Sequence, residues 1–256
     1  MIPIIVGMVA VTLALLAWMY RPRGAERRVV YRTEPDRPQP FGEGMTWIAL
    51  GTTRTDAVLK SFRFAKAKPA NWASGVATIY DPALGTGRVY ISPPVNGWTL
   101  VAGQGLTPPK SASVQDDSAN LLRRLSRDFG TAQMFSAEAT EGCFGWATAE
   151  DGEIARLSYA ADGAFVTDDG ARDRDEAALR KDLFELDGMY DRRGDFGSGL
   201  IFLPTSAFIF AIAGCWSLDP TRLGARSVAM IKRPGYVARI TDAAVEPNTR
   251  VSRRAA

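Results

Sequence analysis

The sequence predicts an α+β domain on a mainly antiparallel sheet with packed helices, preceded by one N-terminal transmembrane helix. Three observations carry this. Met1 to Tyr20 contain no charged side chain. Beyond them, short apolar runs are punctuated by Asn-Gly and Asp-Gly pairs, which favour two-residue hairpins because both central dihedrals must turn positive. Between these runs lie segments whose apolar residues recur every three to four positions, the helical period.

The first twenty residues would reach roughly 30 Å as a helix, the thickness of a bilayer's hydrocarbon core. Trp18 and Tyr20 close the run, where amphipathic rings favour the interface, and Arg21, Arg23, Arg27 and Arg28 follow at once. No basic residue precedes the run, and Ala17-Trp18-Met19-Tyr20 is a poor cleavage site, so an uncleaved anchor is expected rather than a signal peptide. Because the nearby cations all follow the helix, the positive-inside rule places a single-pass protein in the inner (cytoplasmic) membrane, its globular part in the cytoplasm. Arg21 to Gly44, with Pro22, Pro35, Pro38 and Pro40, reads as an extended linker. The globular domain is expected over 45–240 and a basic flexible tail over 241–256.

Within the domain, Thr46 to Leu50 reads as a buried strand. Thr55 is placed to cap a short helix with Val58, Leu59 and Phe62 on one face. Asn71 to Tyr80 fits a second helix, with Trp72, Val76 and Ile79 inward. Arg88 to Ser92 and Trp98 to Ala102 form a strand pair turned at Asn96-Gly97, followed by a loop over Gly103 to Val114. Ser118 to Phe129 is the strongest helix, with a Leu121, Leu122, Leu125 and Phe129 stripe, Ser118 or Asp117 as its cap, and Gly130 as its stop. Ala132 to Ala137, Cys143 to Ala149, Ile154 to Tyr159 and Ala164 to Thr167 read as a strand meander turned at Asp151-Gly152 and Asp162-Gly163. An acid-rich stretch then leads into a helix over Glu176 to Leu186. The uncharged stretch Phe196 to Leu218 could span a membrane, but a second crossing would put the basic tail on the wrong side. It reads instead as a strand, Leu200 to Leu203, then a buried helix capped by Thr205 or Ser206, with Phe208, Ile209, Ile212 and Trp216 inward. Val228 to Ile231 and Val237 to Ile240 suggest a last hairpin around Arg233-Pro234-Gly235.

Composition narrows the chemistry. A 46% apolar, 23% charged chain with two cysteines is neither a disordered polymer nor a disulfide scaffold. Histidine is absent, which removes Ser-His-Asp and Cys-His catalysis and every His-containing zinc site. Six arginines against three acids leave Arg21 to Pro40 at +3, and eight cations against three acids leave Asp219 to Ala256 at +5. With +3 overall, Phe41 to Leu218 carries −5. Basic ends beside a bilayer are attracted to anionic lipid headgroups by about 1 kcal/mol per charge. They lack interleaved stacking aromatics, so nucleic acid is not an expected partner.

Cys143 and Cys215 sit in apolar contexts and are expected as buried, unreactive thiols. Asp168, Asp169, Asp173 and Asp175 fit no EF-hand spacing and read as a hydrated helix start. Gly85-Thr86-Gly87 and Gly103-Gln104-Gly105 lack the Lys and Ser/Thr of a phosphate loop. Glu138 and Glu141 form the one carboxylate pair of note beside the sheet. No cofactor or metal site is expected.

Asn96 to Gly103 (NGWTLVAG), Arg127 to Phe135 (RDFGTAQMF) and Ala213 to Pro220 (AGCWSLDP) resemble segments of a set of uncharacterised bacterial proteins. The resemblance covers Trp47 to Pro220 and implies no activity. In those proteins the segment before AGCWSLDP is more polar, which implies a helix packed on the domain. Phe208-Ile209-Phe210 is more apolar here and leaves a membrane contact open.

These observations lead to a membrane-anchored, non-enzymatic protein-binding domain, immunity-like in kind, with a protein partner as well as the bilayer held by residues 1–20. The expected interaction surface comprises Pro93, Pro94, Asn96, Trp98, Glu138 and Glu141, with acidic and aromatic character. The alternatives are a structural component of an envelope complex, or a hydrolase using converging carboxylates.

Overall fold

A computed structural model describes residues 29–62, 64–186, 203–224, 227 and 233–240. The unit from Tyr31 onward is an α+β fold built on one nine-stranded antiparallel sheet. The strands are β1 (Met45–Leu50), β2 (Ala65–Ala70), β3 (Arg88–Ile91), β4 (Thr99–Ala102), β5 (Thr131–Glu138), β6 (Cys143–Glu150), β7 (Glu153–Ala161), β8 (Ala164–Asp169) and β9 (Gly235–Arg239). Their spatial order is β2-β9-β3-β4-β1-β5-β6-β7-β8. Among the described residues five α-helices accompany them: α1 (Thr55–Phe62), α2 (Trp72–Tyr80), α3 (Asp117–Phe129), α4 (Arg174–Leu186) and α5 (Ser206–Trp216).

Alternation along β1 explains the layering. Successive side chains point to opposite faces of a strand. Met45, Trp47 and Ala49 join one core with Trp72 and Ile79 of α2 and Phe208, Ile209 and Ile212 of α5. Ile48 and Leu50 join another with Val58 and Phe62 of α1 and Leu121, Leu122 and Leu125 of α3. All six β1 residues are therefore buried, and helices pack against both faces of the sheet.

The Asx-Gly pairs turn as their chemistry predicts. Asn96-Gly97, Asp151-Gly152 and Asp162-Gly163 all hold positive φ at both positions, the left-handed geometry that two-residue hairpins need. The caps differ in detail. Asp116, not Asp117 or Ser118, caps α3, its Oδ1 accepting from Ala119 N at 3.0 Å. Thr55 is the first residue of α1, and its hydroxyl donates to the Ser92 carbonyl at 3.3 Å. Thr205 caps α5.

One strand was not anticipated, and one expected strand lies outside the described residues. β2 was not expected, since Ala65 to Ala70 (AKAKPA) has little β-propensity. It lies at the sheet edge, where lysine and proline are tolerated and discourage further pairing. β9 pairs with β2 and β3, and Val228 to Ile231, its expected hairpin partner, lies outside the described residues.

From Tyr31 the expected linker lies along the body. Asn71 N donates to the Arg32 carbonyl, and both Asp36 carboxylate oxygens accept from the first amides of α2, Trp72 N at 2.7 Å and Ala73 N at 2.9 Å. Prolines keep this segment extended, and a carboxylate is favoured at a helix N-terminus, so the two features together dock it. Among the described residues no helix is long and apolar enough to cross a membrane. The expected anchor, with Trp18, Tyr20, Arg21 and Arg23, lies outside the described residues, as do Phe196 to Phe202. The rest of that uncharged stretch contains α5, whose Phe208, Ile209 and Ile212 are buried while Trp216 is half-buried.

Candidate binding cleft

The chain leaves β1 through Gly51 and turns sharply. Thr52 N donates to the Leu50 carbonyl at 2.7 Å, and Arg54 N donates to Thr52 Oγ1 at 3.2 Å. Thr99 Oγ1 in β4 donates to the Thr52 carbonyl at 2.7 Å. The Arg54 carbonyl then accepts from Ala57 N and Val58 N, which starts α1. Beside this start runs the β3–β4 connection. Ser92 is clamped to Leu100 in both directions, so Pro93 and Pro94 are fixed and buried. Arg233 and Pro234, leading into β9, and Tyr236 within it complete the third side.

These three segments enclose a cleft of about 380 Å3, lined by Thr53, Arg54, Thr55, Asp56, Ala57, Lys60, Pro93, Pro94, Arg233, Pro234 and Tyr236. That volume falls in the range of small-ligand and side-chain pockets. The prolines form its floor. Arg54, Lys60 and Arg233 are exposed around it and make no side-chain hydrogen bond or ion pair with the described residues. Asp56 is the one acid of the lining, and its Oδ1 accepts from the Tyr236 hydroxyl at 3.4 Å. Burial, and then the neighbouring Asp56 charge, push the Tyr236 phenol up. The cleft therefore joins an apolar floor to a cationic rim.

The residues expected at an interaction surface are not brought together. Pro93 and Pro94 are the floor of the cleft rather than an exposed tip. Asn96 is exposed at the turn beyond, and Trp98 is half-buried against the core. Glu138 and Glu141 lie at the other end of the sheet, because β1 meets Thr99 at Leu50 but Ala137 at Met45. Five strand steps separate these ends by roughly 17 Å. At that far end Glu138, Glu141 and Glu43 interact. Burial first, then the charges of Glu141 and Glu43, raise the Glu138 carboxyl. Ser206 Oγ donates to Glu43 Oε2 at 2.9 Å. Among the described residues no group of acids and cysteines is arranged to hold a metal ion.

The acid-rich stretch is not simply a hydrated helix start. Arg156 of β7 is buried and donates through Nε and Nη2 to both oxygens of buried Glu176, each at 2.8 Å. It also pairs with Asp168, and its Nη1 donates to the Asp169 carbonyl at 2.7 Å. Arg172 and Arg180 complete the network, and the Arg180 guanidinium stands 5.4 Å from the Trp146 ring centre. Asp173 accepts from Glu176 N and from Trp216 Nε1. Tertiary pairing holds Asp168 and Glu176, whereas Asp173 accepts from the first turn of α4 and Asp169 and Asp175 are exposed as expected.

Both cysteines are free, yet neither is buried as expected: Cys143 is half-buried and Cys215 exposed. Cys143 starts β6 just after a turn, and Cys215 sits on the outer face of the last turn of α5. The Tyr159 hydroxyl donates to Cys143 Sγ at 3.5 Å. Burial and that bond push the phenol up to about 12.

Sequence reasoning missed Arg54, Lys60, Arg233 and Tyr236. Arg233-Pro234-Gly235 stood out only as a turn, and nothing local places it beside α1. Two of the three motif segments meet in space, since Gln133 Nε2 donates to the Trp216 carbonyl and Phe135 packs on the Trp216 ring. No family model, curated protein or solved structure matches the chain.

Proposed function

We propose that this chain is a membrane-anchored, non-enzymatic protein-binding domain, and that the cleft beside α1 is where it binds its partner. The cleft carries this reading. A rigid proline floor, a tyrosine and two arginines concentrate the residue types that dominate protein interfaces, on elements already ordered by the fold. The membrane part rests on the uncharged run from Met1 to Tyr20 and the arginines after it. An immunity-like role is the narrower form of this reading and requires a single cognate protein.

The test places a photo-crosslinking residue at Thr53, exposed in the cleft lining, and as a control at Glu153, exposed on the Asp151-Gly152 hairpin outside that lining. Membranes from the producing cells are irradiated and washed with alkaline carbonate. The expected result is one discrete protein adduct at Thr53, absent at Glu153 and retained in the washed membranes. Release of the full-length chain into the wash would overturn the anchor. Absence of a discrete adduct at Thr53 would overturn partner binding in the cleft.

A further inference from the structure

The cleft's chemistry identifies what enters it. Its rim presents Arg54, Lys60 and Arg233 against Asp56 alone, and Asp56 is engaged by Tyr236. The three cations reach it from three places in the chain: the turn before α1, the first helix itself, and the residues leading into β9. The cleft lies in the basic half of the domain: Phe41 to Lys110 carry seven Lys and Arg against Glu43, Asp56 and Asp81, whereas the acids that make Phe41 to Leu218 net −5 fall mainly after Lys110. Pro93 and Pro94 beneath it are buried, which makes the base of the cleft rigid and apolar.

We propose that the cleft takes an acidic peptide segment of the partner protein, with an apolar side chain on the proline floor and flanking carboxylates on Arg54, Lys60 and Arg233. This rests on the reading of the cleft as the partner-binding surface and specifies the partner's chemistry there. Guanidinium groups match carboxylates in planar, two-point geometry, and exposed cations can engage them with little loss of hydration. The floor discriminates between anions. An inorganic phosphate has nothing to place on two prolines, whereas a peptide side chain does. A nucleic acid or an anionic bilayer presents its charge over a wide face, too broad to enter a cleft of about 380 Å3.

The test uses the full chain in uncharged detergent micelles, with fluorescently labelled EELEE, EEGEE and KKLKK peptides and with inorganic phosphate as competitor. EELEE is expected to bind saturably, and its affinity to fall roughly tenfold in the combined Arg54→Ala, Lys60→Ala and Arg233→Ala variant and to weaken as salt screens the rim. These side chains are exposed, so the variant keeps its fold. EEGEE is expected to bind several-fold more weakly, and KKLKK not at all. No EELEE binding, equal binding by EEGEE, or displacement by phosphate at concentrations matching the peptide's would overturn the proposal, the last assigning the cleft to small oxyanions. The Thr53 adduct separates the two claims. If it forms undiminished in the triple variant, the cleft binds a protein but not through acidic residues. If it is missing from the otherwise unaltered chain, the partner-binding reading itself fails.

Discussion

Arg156 shows how one side chain can organise an edge of this molecule. Its guanidinium is buried and reaches two carboxylates and three backbone carbonyls. Removing one partner of such a pair leaves an uncompensated buried charge, which costs about 3–5 kcal/mol. Asp168 is the more exposed partner and reports on acid stability. Burial tends to raise its carboxyl, but hydrogen bonds from Arg156 and Arg172 and the charge of Arg180 hold it down at about 2. An unfolded aspartate titrates near ~3.9. Its contribution is therefore complete above that value and is lost as pH falls toward the folded value. Thermal melts across pH 5 to pH 2 should show a steeper fall in Tm for the unaltered chain than for Asp168→Asn, whose Tm should be lower at pH 5. Parallel curves would show that Asp168 does not carry this linkage.

At the scale of elements, the capping of α3 illustrates how a loop and a helix share one residue. Asp116 accepts from Ala119 N in the helix and, through Oδ2, from Lys110 N at 2.7 Å and Ser111 N at 3.1 Å in the preceding loop. An N-cap side chain is worth about 1 kcal/mol and up to ~2 in favourable cases. Asp116→Ala should lower the urea midpoint by an amount equal to about 1–2 kcal/mol with an unchanged slope, and Asp116→Asn should recover part of it. A neutral Asp116→Ala would mean that the loop is held by other contacts. The leucine stripe and the stop at Gly130 were legible in the sequence because both are local. The choice among Asp116, Asp117 and Ser118 was not, because three adjacent residues can all cap and the loop's own amides decided between them.

For the whole molecule, the decisive feature is the placement of β9. This C-terminal strand lies between β2 and β3 and contributes Val237 to one core and Ala238 to the other. β2 pairs with β9 and with no other described strand. The same strand brings Arg233 and Tyr236 to the cleft. A chain ended after Lys232 should therefore lose both a sheet edge and a cleft wall. Compared with a chain ended after Ile240, it should lose amide protection at Lys68, Ala70 and Val89 in hydrogen exchange and unfold less cooperatively. Retained protection would show that the edge stands without β9.

The amino-acid sequence alone determined the class of the fold and most of its elements, because hydrophobic period, Asx-Gly turns and helix stops act over a few residues. It also determined the absence of histidine chemistry and the apolar N-terminal run. Only the tertiary structure decided that AKAKPA is a strand, that Arg156 and Glu176 bury each other, and that a proline loop, a helix start and a distant strand meet around one cleft. Each of those outcomes depends on free energy exchanged between segments far apart in the chain, which no local pattern records.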